Sequence, residues 1–225
     1  MFTHSDVEFS PVDRESIDGV RYYKAPGNDQ LVRMPSITSV ISWRNRDKFK
    51  AWRKKVGEDV ANNITRKATH RGTDAHTLIE EYLNNSDTFS DVLPLSQYLF
   101  KQSKPTLNRI DNILCQEQAL YSFELGIAGS VDCIAEFDGE LSIIDFKTSA
   151  KPKPRKWIED YFVQCAAYAC MLYEMKGIMV KKFVIIMTCE DGEVEVYEEY
   201  NKRKYIELLS EYVREFVLAK LKDYA

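Results

Sequence analysis

The chain reads as one α/β or α+β domain with a helical N-terminal part, and three observations carry that reading. The apolar pattern switches along the sequence in the order helices, three strands, helix, two strands, helix. No linker long enough to split the chain interrupts that order. Its 225 residues suffice to bury one sizeable core. A 44% hydrophobic and 29% charged composition fits an ordinary globular protein, and no run of about 18 apolar residues suggests a membrane span. The first residues, MFTHSDVEFSPVDRES, have neither a signal-peptide nor a transit-peptide pattern, so the expected location is cytoplasmic. Five scattered cysteines without a CxxC suit buried thiols in a reducing compartment better than a disulfide frame or zinc ribbon. A net charge of −4 means that any surface for nucleic acid must be local.

Residues 1–35 form an N-terminal extension, with His4 expected to be unordered. Extended candidates at Val20–Lys24 and Leu31–Met34 flank the turn-prone APGND as a possible short hairpin. Residues 36–104 are the helical part. Ser36 and Thr38 are candidate caps of a first helix. RNRDKFKAWRKK follows as a basic stretch, whose rings Phe49 and Trp52 are expected in the core. A second helix spans about Glu58–Leu83, with Gly72 as an interruption, and a short one spans Leu93–Ser103, with Pro105 as its stop. Residues 109–225 hold the strand-rich core. RIDNILCQEQALYSF turns into strand, and a hairpin follows it. An amphipathic helix then runs from about Arg155 to Met175, ending at Gly177. VKKFVIIMTCEDGEVEVYEEY is a second hairpin turning at Asp191-Gly192, and a last helix covers about Lys202–Leu221.

The first hairpin carries the chemistry. Asp138-Gly139 suits a type I′ turn, and a loop centred there sets Asp132 opposite Asp145 and Ser130 opposite Lys147, all on one face. Two carboxylates about 5 Å apart repel by roughly 3 kcal/mol at an effective dielectric of about 20. Apolar neighbours such as Val131, Ile144 and Phe146 leave little water for relief. Either one acid is protonated or a cation lies between them, and oxygen donors with room for water suit Mg²⁺ or Mn²⁺. Lys147 adds an amine that could hold a water or stabilise developing negative charge. The plainer alternative is a structural ion pair of Lys147 with one aspartate.

GSVDCIAEFDGELSIIDFKTS resembles the core of the PD-(D/E)XK nuclease superfamily, with Asp132 as first acid and Asp145-Phe146-Lys147 as the D-x-K element. HRGTDAHTLIEEYL and QCAAY are similar to two elements of its RecB-like branch. Within that branch, MPSITSVIS, DGELSIIDFKTSAKPKP and the Gln/Tyr helix resemble the group of mitochondrial genome-maintenance exonucleases with their phage and bacterial relatives. The resemblance implies a restriction-endonuclease-like core, a central mixed sheet flanked by helices. It also implies metal-dependent hydrolysis of DNA, favouring free single-stranded ends, in replication, recombination or repair. Carried over by residue, it makes Asp132, Asp145 and His76 metal ligands, with the Phe146 carbonyl as a further one, and lets Lys147 position the attacking water. Gln164 and Tyr168 would lie near the substrate and the lysine. The cysteines lack the clustering of the iron–sulfur members, so no cluster is expected. The mitochondrial relatives' targeting segment has no counterpart in MFTHSDVEFSPVDRES, and the expected setting is a bacterial or phage-infected cell.

Other candidates have two readings each. Glu80, one turn beyond His76, and Glu117, on the strand before the hairpin, could support the metal or simply face solvent. Thr148, Ser149 and Lys151 could hold phosphates beside the scissile bond or form an ordinary stiff loop. Arg53 belongs to the basic stretch, whose charge is expected to track a DNA backbone. His70 lies six residues from His76, on roughly the opposite helix face, and cannot share an ion with it. Rival functions are a site-specific endonuclease, an inactive nucleic-acid-binding module on the same fold, or an enzyme acting on RNA.

Overall fold

The computed structural model describes residues 1–27 and 30–223. β1 (Asp13–Ile17), β2 (Val20–Pro26) and β3 (Leu31–Pro35) make a small antiparallel sheet in that order. β1 joins β2 through Asp18-Gly19, at φ 50° and 76°, as a type I′ turn requires. Sequence reading finds β2 and β3 but overlooks β1, although this Asp-Gly pair was the available signal. The expected APGND turn falls partly on residues 28 and 29, outside the described residues.

Ser36 caps α1 (Ile37–Arg44), its hydroxyl accepting from the Ser39 N–H at 3.0 Å. α2 (Arg46–Val56) buries no residue. Phe49 and Trp52, expected in the core, instead stack on each other at its surface, centroids 5.4 Å apart. Phe49 is 46% exposed and Trp52 half-buried, and the rings shield one another. α3 (Glu58–Leu83) runs unbroken through Gly72, because burial of Ala75, Leu78, Ile79 and Leu83 outweighs the roughly 1 kcal/mol a helical glycine costs. α4 (Pro94–Leu107) likewise continues past Pro105. A proline in the last turn forfeits one hydrogen bond, and fully buried Leu107 anchors the end.

The main sheet has the order β4 (Ile110–Ser122), β5 (Ile127–Phe137), β6 (Glu140–Ser149), β7 (Lys182–Cys189), β8 (Val194–Glu199). Only β6 and β7 are parallel. A short 3₁₀ turn (Arg155–Trp157) and α5 (Glu159–Lys176) make the crossover that a parallel pair needs. α6 (Lys202–Asp223) completes the described chain. Apolar layers cover both faces of the sheet. Phe183, Ile185 and Met187 pack on the side of α1, α5 and α6, while Val184 and Ile186 pack on the side of α3 and α4. A strand buried on both faces reads as a continuous apolar run. α5 is not amphipathic in its middle: residues 162–168 are all buried, because the sheet, α1 and α6 enclose it. His4 is ordered after all. It bridges to Ile113 on β4, and its Nε2 lies 2.8 Å from the Leu83 carbonyl oxygen. Among the described residues no helix is long and apolar enough to cross a membrane.

β5 and β6 pair in the expected register, from Phe137↔Glu140 back to Cys133↔Ile144 around Asp138-Gly139. There the ladder stops. Further on, β6 pairs with β7 and β5 with β4, and Ser36 bridges to Ala128 on β5. The sheet therefore forks, and the N-terminal sheet seats against the fork with Tyr23, Ala25 and Met34 packed on Ala128.

Candidate active site

The acidic side chains gather where β5 and β6 part. Asp132 lies just beyond the last ladder pair, and its Oδ2 accepts the Phe146 N–H at 2.8 Å. A carboxylate oxygen thus satisfies a backbone donor that the fork would otherwise orphan. This corrects the expected cross-strand pair of Asp132 with Asp145: the register aligns them, but no ladder pair forms because the strands have already separated. The in–out alternation also slips at Asp132. Val131 and Ile134 belong to the α5-side core, while Cys133 belongs to the opposite one.

Asp145 is 1% exposed. Lys147 Nζ donates a hydrogen bond to its Oδ1 at 2.6 Å. The amine is equally close to Oδ2, at 2.6 Å, without hydrogen-bond geometry, so that buried oxygen has no hydrogen-bond partner. Burial pushes the Asp145 pKa up to about 7; Lys147 pulls it back and Asp132 adds repulsion. For Lys147 burial favours the neutral amine, but Asp145 and Asp132 outweigh it and hold the cation. One amine faces two acids, and the site is short of positive charge.

His76 reaches in from α3. Its Nε2 lies 2.9 Å from the Phe146 carbonyl oxygen and 3.8 Å from Asp132 Oδ2, and its Nδ1 lies 3.3 Å from Glu117 Oε1. Burial opposes its cation, yet Asp132 and then Glu117 prevail and raise its pKa to about 9. Glu117 sits on β4 at φ 44°, a left-handed conformation that is strained for a non-glycine residue and that concentrates at functional sites. Ligand atoms of His76, Glu117 and Asp132 all lie within 4.8 Å of one another. Adjacent ligands of an octahedral ion with bonds near 2.1 Å stand about 3 Å apart. The Nε2–carbonyl separation matches that figure. An oxygen-rich set with one imidazole and a partnerless buried carboxylate oxygen fits a divalent cation such as Mg²⁺ or Mn²⁺.

A cavity of about 930 Å³ opens over these groups, lined by His76 and Glu80 of α3, Glu117 of β4 and Ser130 of β5. Glu80 therefore shares the cleft with His76, its pKa raised by burial and then by Glu117. His70 lines a separate cavity beside Arg66, as its helix position predicts. The hydroxyls beyond Lys147 are engaged internally: Thr148 accepts from Arg71 Nε at 3.1 Å, and Ser149 donates to the Lys151 carbonyl at 2.7 Å. Lys151 itself is exposed. Arg53 is not brought to the cavity; it bonds Glu58 and Asn62 at the α2–α3 corner. Gln164 Nε2 donates to Tyr168 Oη at 3.1 Å, one turn along α5. Both lie beneath the site, 8% and 1% exposed, and neither lines the cavity. Sequence reading missed buried Arg71, which ties α3 to Thr148 and to Glu190. It also missed the wall that Arg14 and Tyr23 form. No local pattern marks either; both are effects of chain crossing.

Two aspartates and a lysine thus lie around the fork of a mixed sheet. The sequence pattern of the PD-(D/E)XK nuclease superfamily matches residues 43–224, and the chain belongs to that superfamily. Among individual proteins, it is similar to the Mitochondrial genome maintenance exonuclease 1 of Homo sapiens, 26% identical over 174 residues, 71% of this chain and 50% of that one. The Xenopus tropicalis protein of the same name is 27% identical over 172 residues, covering 70% and 49%. The chain thus spans about half the length of these curated relatives. A crystal structure named as a candidate exonuclease from Eubacterium rectale superposes with a TM-score of 0.46 at 15% identity, over 69% of this chain and 66% of that one.

Proposed function

We propose that the protein is a Mg²⁺- or Mn²⁺-dependent exonuclease that hydrolyses phosphodiester bonds from the free ends of single-stranded DNA. One observation carries the reading: His76, Glu117 and Asp132 converge within 4.8 Å beside the Lys147–Asp145 pair, and His76 and Glu117 line an open cavity. Asp132, Asp145, His76 and the Phe146 carbonyl are the groups that would hold the cation, with Glu117 and Glu80 beside them. When bound, such an ion polarises a phosphate oxygen and lowers the pKa of a nearby water. The chain's own groups do the rest. Lys147, held as a cation, releases Asp145 and presents its Nζ to the water and to the phosphoryl oxygens as they gain charge. His76 gives up the proton on Nε2 in order to act as a donor atom. Gln164 and Tyr168 support the Asp132–Lys147 region from below.

The single-strand preference is supported by α2. Six cations against Asp47 give that helix a net charge of +5 and leave −9 for the rest of the chain. Phe49 and Trp52 are available there for base stacking beside the cations.

The test is a panel of end-labelled linear and circular DNA, single- and double-stranded, with RNA counterparts, incubated with and without Mg²⁺. Degradation of linear single strands only, abolished by EDTA, is expected. Asp145→Ala and Lys147→Ala should each slow it by about 10²-fold or more. Cleavage of circles would identify an endonuclease instead. Intact substrates throughout would leave a binding module.

A further inference from the structure

The small N-terminal sheet places a cation inside the cleft. Residues directly opposed across strands share a face. Arg14 pairs with Tyr23, and Tyr23 with Met34, so Arg14 lies on the face that packs against Ala128. The other face holds the sheet's ion-pair network, with Glu15 bonded to Arg33 at 2.5 Å and to Lys24 at 3.3 Å. Tyr23 and Met34 are each 2% exposed, whereas Arg14 is exposed and lines the cavity over the acidic site. Among the described residues its guanidinium has no ion pair or hydrogen bond. It is also the only guanidinium or ammonium among the described residues lining that cavity, where Asp13, Glu80 and Glu117 are acidic. A DNA strand crossing this cleft meets repulsion from those acids. Arg14, an unpaired five-donor cation on β1 next to Asp13, offsets it, and a guanidinium fork matches a phosphate in geometry as well as charge. Packing of Tyr23, Ala25 and Met34 on Ala128 of β5 holds the sheet in place.

We infer that Arg14 grips a phosphodiester of the bound strand, so that the N-terminal sheet is one jaw of the substrate cleft and α3 the other. This rests on the nuclease reading and adds a substrate-binding residue to it. The contact is to backbone, so it is independent of base sequence.

The experiment measures binding of a labelled single-stranded oligonucleotide by fluorescence anisotropy across a salt series with Mg²⁺ present. It uses the Lys147→Ala chain with Arg14 intact or changed to Ala, Gln or Lys; steady-state kinetics are run with the same Arg14 variants in the active chain. Arg14→Ala should weaken binding roughly tenfold and reduce the slope of log K against log salt by about 0.7, one single-strand phosphate contact. KM should rise while kcat stays within about twofold. Lys should recover part of the affinity and the full salt slope; Gln should recover neither. A merely structural role would leave the slope untouched, and melting curves separate it further. If Ala lowers the melting temperature, the Gln and Lys pair carries the test. Unchanged affinity and slope in a chain that cuts DNA overturn the role of Arg14 and leave the nuclease reading standing. A chain that neither binds nor cuts DNA overturns both.

Discussion

An imidazole with the Phe146 carbonyl 2.9 Å from Nε2 and Glu117 3.3 Å from Nδ1 has an acceptor at each nitrogen, the pattern of a protonated ring. Burial opposes the cation, but Asp132 and then Glu117 raise the pKa of His76 from 6.5 to about 9. Because the folded chain holds that proton more tightly than the unfolded one, the stability His76 contributes is complete below pH 6.5 and disappears as pH rises through about 9. Coordination needs Nε2 without its proton. Divalent-ion binding near pH 7 should therefore release about one proton from His76 and a further fraction from Asp145, whose pKa is about 7, and affinity should climb through that window and level off above it. Titration calorimetry in two buffers of different ionisation enthalpy reads the release directly; His76→Ala should remove most of it and leave the fraction from Asp145. Release of no proton by the parent chain would sink the assignment of His76 as a donor. At this scale the sequence identifies Asp132, Asp145 and Lys147, because a two-residue turn counts register outward from Asp138-Gly139. It leaves Glu117 undecided, since nothing in one strand says which helix will cross it.

Helix and strand fit together tightly where α5 passes over β5. A Cβ on Gly129 would come within 2.9 Å of Tyr168 Cε1 and 3.1 Å of Ile37 Cγ2. Tyr168 is 1% exposed and Ile37 fully buried, so neither has space to retreat. The backbone at Gly129 is outside the left-handed region, so alanine alone should stabilise the chain slightly by stiffening the unfolded state. The close contact reverses that sign. Gly129→Ala is expected to cost about 1–3 kcal/mol, a fall in melting temperature of roughly 2–4 °C for each kcal/mol. Calorimetric melting decides it, and a higher melting temperature would show that the ring yields. Elements whose pattern is local, such as α3 and the two hairpins, are legible in the sequence. The burial of α5 on all sides is not, because Gln164-Cys165-Ala166-Ala167 carries no periodicity that distinguishes one covered face from several.

Charge is distributed unevenly over the whole molecule, with +5 on α2 and −9 elsewhere. Lys50 and Lys54 are exposed, one turn apart on that helix. Lys50→Glu combined with Lys54→Glu should weaken single-strand binding by on the order of tenfold in low salt and much less in high salt, with melting unchanged. Anisotropy across a salt series checks this. Equal affinity for the variant and the parent would remove α2 from the substrate path.

By itself the sequence determined the first hairpin's register as far as Cys133, the caps at Ser36 and Gly177, the acids and amine of β5 and β6 and the family to which the chain belongs, because these depend on neighbours close in the chain. Only the tertiary structure decided that β5 and β6 separate beyond Cys133, that Glu117 joins His76 and Asp132, and that Arg14 lines the same cavity as His76 and Glu117. Those relations join residues as far apart as Arg14 and Glu117, and packing, not local propensity, sets them.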